Sequence, residues 1–162
     1  MGDVACAARW AESSGLSPAD TPTFLREAEY LTYARVLVAE QRLDEAQVLL
    51  ASLEGYARSS GLVRSLITVR ILQAVAVQAL GQEEQAVVHL EEAVRLAAPG
   101  GYRRAFLDEG PAVAALLPGV RHAAPEFVEG LLGGVPSPPA PLPGGVGSRP
   151  RKQPLVEPLS ER

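Results

Sequence analysis

Apolar residues recur every three or four positions along most of this chain, and the recurrence breaks at glycine-bearing turns. Residues 3–14 place Val4, Ala7, Ala8 and Ala11 on one helical face with Trp10 beside it, and Gly15 suits the left-handed position that ends a helix. Thr21 followed by Pro22 predicts an N-cap and first helical position for a helix over about 23–41. Its inward stripe is expected at Phe24, Ala28, Leu31, Ala34 and Val38. Asp44 is expected to cap a third helix, with Ala46, Leu49, Leu50, Leu53, Tyr56 and Ala57 apolar and Glu54 and Arg58 paired on its wet side. A strongly apolar helix follows over 62–80, carrying Val63, Leu66, Ile67, Ile71, Ala74 and Val77. Its partner over 83–98 buries Ala86, Leu90, Ala93, Val94 and Ala97 and is stopped by Pro99-Gly100-Gly101. Short helices are expected at 102–107, 112–117 and 123–132.

These segments repeat. Trp10 to Leu16, Tyr56 to Leu62 and Leu96 to Tyr102 each run an apolar helical tail into glycine and then a large apolar residue, at spacings of 46 and 40 residues. Val4, Leu50 and Leu90 fall in register, as do Ala7, Leu53 and Ala93. Periods of this size mean stacked helical pairs, in which no unit buries its apolar face alone. The expected fold is all-α: antiparallel helical pairs stacked as a short right-handed solenoid over residues 1–132. Residues 3–14 match the second helix of a pair whose first helix is missing, and such a half-repeat exposes an apolar face.

Composition changes this picture at one end. Residues 133–162 hold eight prolines and five glycines, too little packable surface to offset ordering entropy, so a disordered linker is expected there. Residues 1–132 carry 17 acidic and 11 basic side chains, a balance of −6, while 133–162 stand at +2. An acidic body gives no electrostatic case for nucleic-acid binding by the repeats. Cys6 is the sole cysteine, which excludes an internal disulfide; among alanines it reads as a small core residue. No run approaches the ~20 apolar residues of a membrane helix, and the N-terminus has no basic n-region. The expected location is cytoplasmic.

No motif supports catalysis, a cofactor or a metal. Neither a phosphate-binding loop nor a dinucleotide fingerprint occurs. His89 and His122 are 33 residues apart, and neither has a metal-ligand companion at the right spacing. Asp108-Glu109 reads as two carboxylates at a helix end before Gly110-Pro111 rather than an acid–base pair.

Two strings carry a resemblance to a known family. Ala34 to Ala46 (ARVLVAEQRLDEA) is similar to the tetratricopeptide-like region of large LuxR-type, MalT-like transcriptional regulators. Gly101 to Pro111 (GYRRAFLDEGP) resembles the segment that closes that region, and Ala8 to Leu16 with Phe24 to Glu27 also looks like it. The ending Glu157-Pro158-Leu159-Ser160-Glu161-Arg162 looks like the lead-in to the family's helix-turn-helix. Arg42, before Leu43, departs slightly from a turn where glycine is common.

The resemblance implies a non-catalytic, tetratricopeptide-like sensor and interaction segment, shortened at both ends, that lacks the family's ATP-binding module and DNA-binding head. Residues 133–162 would link the repeats to that missing head, and this fragment itself would bind neither DNA nor membrane. A protein or small-molecule inducer would occupy the concave face formed by the first helices of each pair, with self-association as a further property. Arg35, Arg70 and Gln73 are the expected groove-lining residues. Two other readings remain: a free-standing tetratricopeptide-like adaptor for a protein or peptide, and a non-functional product of a truncated gene. Exposed apolar area on helix 3–14 would favour the latter.

Overall fold

The computed structural model describes residues 2–134, with the side chains of residues 2–5 and of Ala8 left aside. The expected linker beyond Gly134, and the inward positions Val4 and Ala8, lie outside what is described. Among the described residues there are eight α-helices and no strand: α1 (Gly2–Ser13), α2 (Glu27–Ala39), α3 (Leu43–Ser59), α4 (Val63–Ala79), α5 (Glu83–Ala97), α6 (Arg104–Leu107), α7 (Pro111–Leu116) and α8 (Pro125–Leu132). Consecutive helices pack on one another, α2 with α3 and α4 with α5, as a helical-repeat solenoid closed by α6–α8.

The hairpin turns are nearly identical because one backbone motif makes them. Gln41, Gly61, Gly81 and Gly101 all take positive φ, between 60° and 76°. After each, the next residue's N–H donates to the carbonyl five positions back: Arg42 to Leu37, Leu62 to Ala57, Gln82 to Val77 and Tyr102 to Ala97. This Schellman arrangement satisfies carbonyls that a helix end would otherwise leave open. Glycine fills the left-handed position without a Cβ clash; Gln41 is the one described non-glycine residue that does so.

The helix starts differ from expectation. α2 begins at Glu27 after a single 3₁₀ turn over Phe24–Arg26, so Thr21 is not its cap, and buried Pro22 is not its first residue. Asp44 lies in the first turn of α3 rather than at its N-cap, which is Arg42. The turn geometry sets both starts, and Asp44, Glu45, Glu83 and Glu84 favour the N-termini through the helix dipole instead.

Two cores form, one on each side of α4. Val69, Leu72 and Ala76 face Tyr30, Tyr33, Leu37, Leu49, Leu50 and Leu53 of the first pair. Ile67, Ile71, Ala74 and Val77 face Leu90, Ala93, Val94, Phe106, Val113, Leu117 and Val128. At about 100° per residue these sets point in opposite directions, which is why α4 is apolar on two sides and reads as buried in sequence. Ala46 and Ala86, one repeat apart, are both fully enclosed, the first in the core on one side of α4 and the second in the core on the other. On α2 the inward set is Tyr30, Tyr33, Ala34, Val36, Leu37 and Val38, whereas Ala28 is exposed and Phe24 is 69% exposed. The apolar stripe expected to run inward thus splits, and its first half faces away from the pair.

Cys6 is exposed, contrary to the expectation of a core position. Among the described side chains of α1, Ala11 with Ala7 beside it touches the first core, and Trp10 keeps 36% of its surface exposed. No described helix is long and apolar enough to cross a membrane.

Candidate functional site

The first helices of the pairs, α2 and α4, diverge enough to leave a cavity of about 570 Å³ between them, closed at its far end by α6 and the turn before it. Glu27, Ala28, Leu31 and Arg35 line it from α2, Arg64, Ser65, Ile67 and Thr68 from α4, and Tyr102, Arg104, Ala105 and Asp108 from the closing segment. The spacing on α2 is one helical stripe, on which Ala28 is exposed and Leu31 lines the cavity while also packing against the edge of the first core.

Five of the six residues of the closing string Phe106-Leu107-Asp108-Glu109-Gly110-Pro111 have a physical task here, and Leu107 is exposed. Phe106 is buried edge-on against Phe127, their centroids 5.6 Å apart. Asp108 Oδ1 accepts from Arg104 Nε at 2.9 Å. Glu109 Oε1 accepts from Arg35 Nε at 2.8 Å and from Nη2 at 2.6 Å, and the Glu109 side chain is only 9% exposed. Gly110 takes a φ of 68°, and Pro111 begins α7 where its missing N–H costs nothing. The Arg35–Glu109 pair spans 74 positions of sequence and ties the closing segment to the first pair across one end of the cavity.

Arg70 and Gln73 lie together, on the other side of α4 from the cavity. Arg70 Nη2 donates to Glu54 Oε1 at 2.8 Å, and its Nη1 donates to Gln73 Oε1 at 3.0 Å and reaches His89 Nδ1 at 3.1 Å. Arg70 Nε is 2.8 Å from Glu92 Oε2, close enough for charge attraction but without hydrogen-bond alignment. Gln73 Nε2 donates to Glu54 Oε2 at 2.9 Å, and Arg58 Nε to Glu54 Oε1 at 2.9 Å. Burial alone would raise the Glu54 pKa; hydrogen bonds from Gln73 and Arg58 and the charge of Arg70 outweigh it and hold the carboxyl below its ordinary range. Burial, followed by the Arg70 charge, lowers that of His89 against the pull of Glu92 and Glu54. Because a guanidinium only donates, Nδ1 of His89 is the acceptor and the ring is the neutral Nε2–H tautomer. Arg70 and His89 stand one repeat after Tyr30 and Leu49, both buried in the first core, so this polar cluster occupies a junction that is apolar in the preceding repeat.

Of the three residues expected in the groove, Arg35 lines the cavity, and Arg70 and Gln73 join α4 to α3 and α5. The reason lies in α4 itself. Two of its faces are core, which leaves two polar strips; Arg64, Ser65 and Thr68 form the strip toward the cavity, and Arg70 and Gln73 the other. Sequence reasoning passed over Glu27, Tyr102 and Glu109. The stripe Phe24, Ala28, Leu31, Arg35, whose last member is charged, was the available signal that this face of α2 is not core. Among the described residues no group of three or more His, Cys, Asp or Glu could hold a metal ion.

Residues 1–123 match the family model of the MalT-like TPR region. No curated protein and no solved structure matches the chain.

Proposed function

The chain belongs to the MalT-like TPR family, and from that membership we propose that it is the sensing and interaction segment of a LuxR-type transcriptional regulator that works in the cytoplasm. The observation that carries this reading is the cavity between α2 and α4, walled at one end by a segment that Glu109 holds to Arg35. A protein or small-molecule inducer occupies that concave face. Because α2, α4 and the closing segment all contribute to it, an occupant that prefers one spacing of these helices shifts the packing between two arrangements. The action is binding and self-association rather than catalysis. Residues 133–162 connect the repeats to a DNA-binding head, and neither ATP nor DNA binding is assigned to any residue here.

Sequencing the locus on both sides of this reading frame tests the proposal. A phosphate-loop module upstream and a helix-turn-helix downstream support it. Unrelated genes with clean start and stop signals on both flanks overturn it.

A further inference from the structure

The cavity already described is not chemically neutral along its length. Arg35 is committed to Glu109, and Arg104 to Asp108. That leaves Glu27 on α2 and Arg64 on α4 as lining charges with no ion pair among the described residues. Glu27 Oε1 is enclosed, and no donor from the described residues reaches it. Its position at the start of α2 gives the carboxylate some support from the helix dipole. It does not supply a hydrogen-bond partner. A carboxylate already stripped of water on one oxygen loses little more hydration when a cation arrives, so the attraction is less offset than at an open surface.

Apolar surface continues beyond the cavity. Ala28 and Leu31 line it, and just ahead of Glu27 the 3₁₀ turn presents Phe24 at 69% and Leu25 at 91% exposure. Tyr102, 39% exposed, faces the same space from the closing segment. Phe24 and Leu25 just before Glu27, and Ala28, Leu31 and Tyr102 along the cavity, set a succession of separate apolar side chains beside that carboxylate, which suits a chain with side chains at intervals.

The geometry points to a peptide segment of a partner protein as the occupant, one that brings a lysine or arginine to Glu27 with apolar side chains beside it against Phe24, Leu31 and Tyr102. A peptide carboxylate reaching Arg64 on the opposite wall completes the match. This rests on the concave-face reading above and gives it a recognition chemistry: basic and apolar, with an acid across from the base.

A random dodecapeptide library displayed on phage, selected against the full chain, tests this. The selected peptides are expected to share a basic residue flanked by apolar ones. Ala28→Trp, which fills the cavity from an exposed position, is expected to abolish their binding. Glu27→Gln is expected to weaken it about tenfold by removing one charge-assisted hydrogen bond. Glu27→Lys, selected in parallel, is expected to switch the preference to acidic peptides. Thermal melts matching the wild type establish that both Glu27 variants are folded. Selected peptides that lose binding with Ala28→Trp but are indifferent to Glu27 overturn the basic-residue assignment and leave the groove reading standing. Peptides indifferent to Ala28→Trp overturn the groove reading itself. A selection that enriches no peptide overturns the choice of a peptide as occupant.

Discussion

Replacing Arg70 by methionine, a side chain of similar reach, isolates the worth of the charge cluster between α3, α4 and α5. The Arg70 side chain is 10% exposed and Glu54 21%, so the pair is largely withdrawn from water. Removing one partner of a buried ion pair costs about 3–5 kcal/mol when the other is stranded. Glu54 is not fully stranded, because Gln73 and Arg58 still donate to it, and Glu92, 45% exposed, can turn to solvent. Methionine also restores some apolar contact. The expected loss is therefore near or below the lower end, about 2–3 kcal/mol. For a domain of this size each kcal/mol lowers Tm by about 3–5 °C, so the melting point falls by roughly 6–15 °C. Arg58→Ala is the control: its side chain is 54% exposed and four positions from Glu54, and such pairs contribute about 0.3–0.5 kcal/mol. Urea unfolding followed by circular dichroism gives both numbers on one scale. If Arg70→Met lies within about 0.5 kcal/mol of the wild type, the cluster is no keystone and the reasoning from burial is wrong.

A double-mutant cycle on Arg35 and Glu109, read from urea midpoints, is expected to give a coupling of about 1 kcal/mol, between exposed and buried pairs because Arg35 is 40% exposed. A coupling below about 0.3 kcal/mol would show that the closing segment is held by its apolar packing and not by this ion pair. A Cβ built at Gly61 or Gly81 meets nothing within 4 Å, so Gly61→Ala and Gly81→Ala are each expected to cost about 1 kcal/mol of backbone strain, whereas Gln41→Gly gains about 0.5 kcal/mol by calorimetry. His89 has its folded pKa below the ordinary value of 6.5, so its contribution is complete above that value and is lost as pH falls through the folded one. Glu54, lowered from 4.5, adds a second loss at lower pH. Urea melts across pH 7.5 to 3.5 are expected to show both, and His89→Leu, matching Leu49 one repeat earlier, removes only the first.

Helices and repeats were legible because the restarts after Gly61 and Gly101 coincide with a change of apolar phase, and both signals come from the same turn motif. The closing string was legible as a unit, yet its Glu109 was not, since nothing local distinguishes a carboxylate that meets Arg35 from one that meets water. Helix starts were misplaced for a related reason. Thr21 and Asp44 have the chemistry of caps, but a Schellman turn or a 3₁₀ turn already fixes where the next helix begins. The small apolar neighbours of Cys6 suggest enclosure, but enclosure depends on what packs across from α1, and Cys6 is exposed. Phe24 and Ala28 failed in the opposite sense: the period fits a buried stripe and a groove wall equally well.

α4 is shared by both cores, the cavity and the Arg70 cluster. It offers Val69, Leu72 and Ala76 to one core and Ile67, Ile71, Ala74 and Val77 to the other. Its remaining two strips carry Arg64 and Thr68 toward the cavity and Arg70 and Gln73 toward α3 and α5. All four sides of one rigid helix are therefore in use. Close-packed interfaces repack in discrete steps rather than deform smoothly. An occupant that displaced α4 by even a fraction of a turn would have to move side chains in both cores and in the Arg70 cluster together. Groove binding and core packing are then one equilibrium, and Arg70→Met should alter the affinity of a cavity-bound peptide although Arg70 does not line the cavity. Unchanged affinity in that variant would place the cavity on a rigid scaffold and remove α4 as the route of communication.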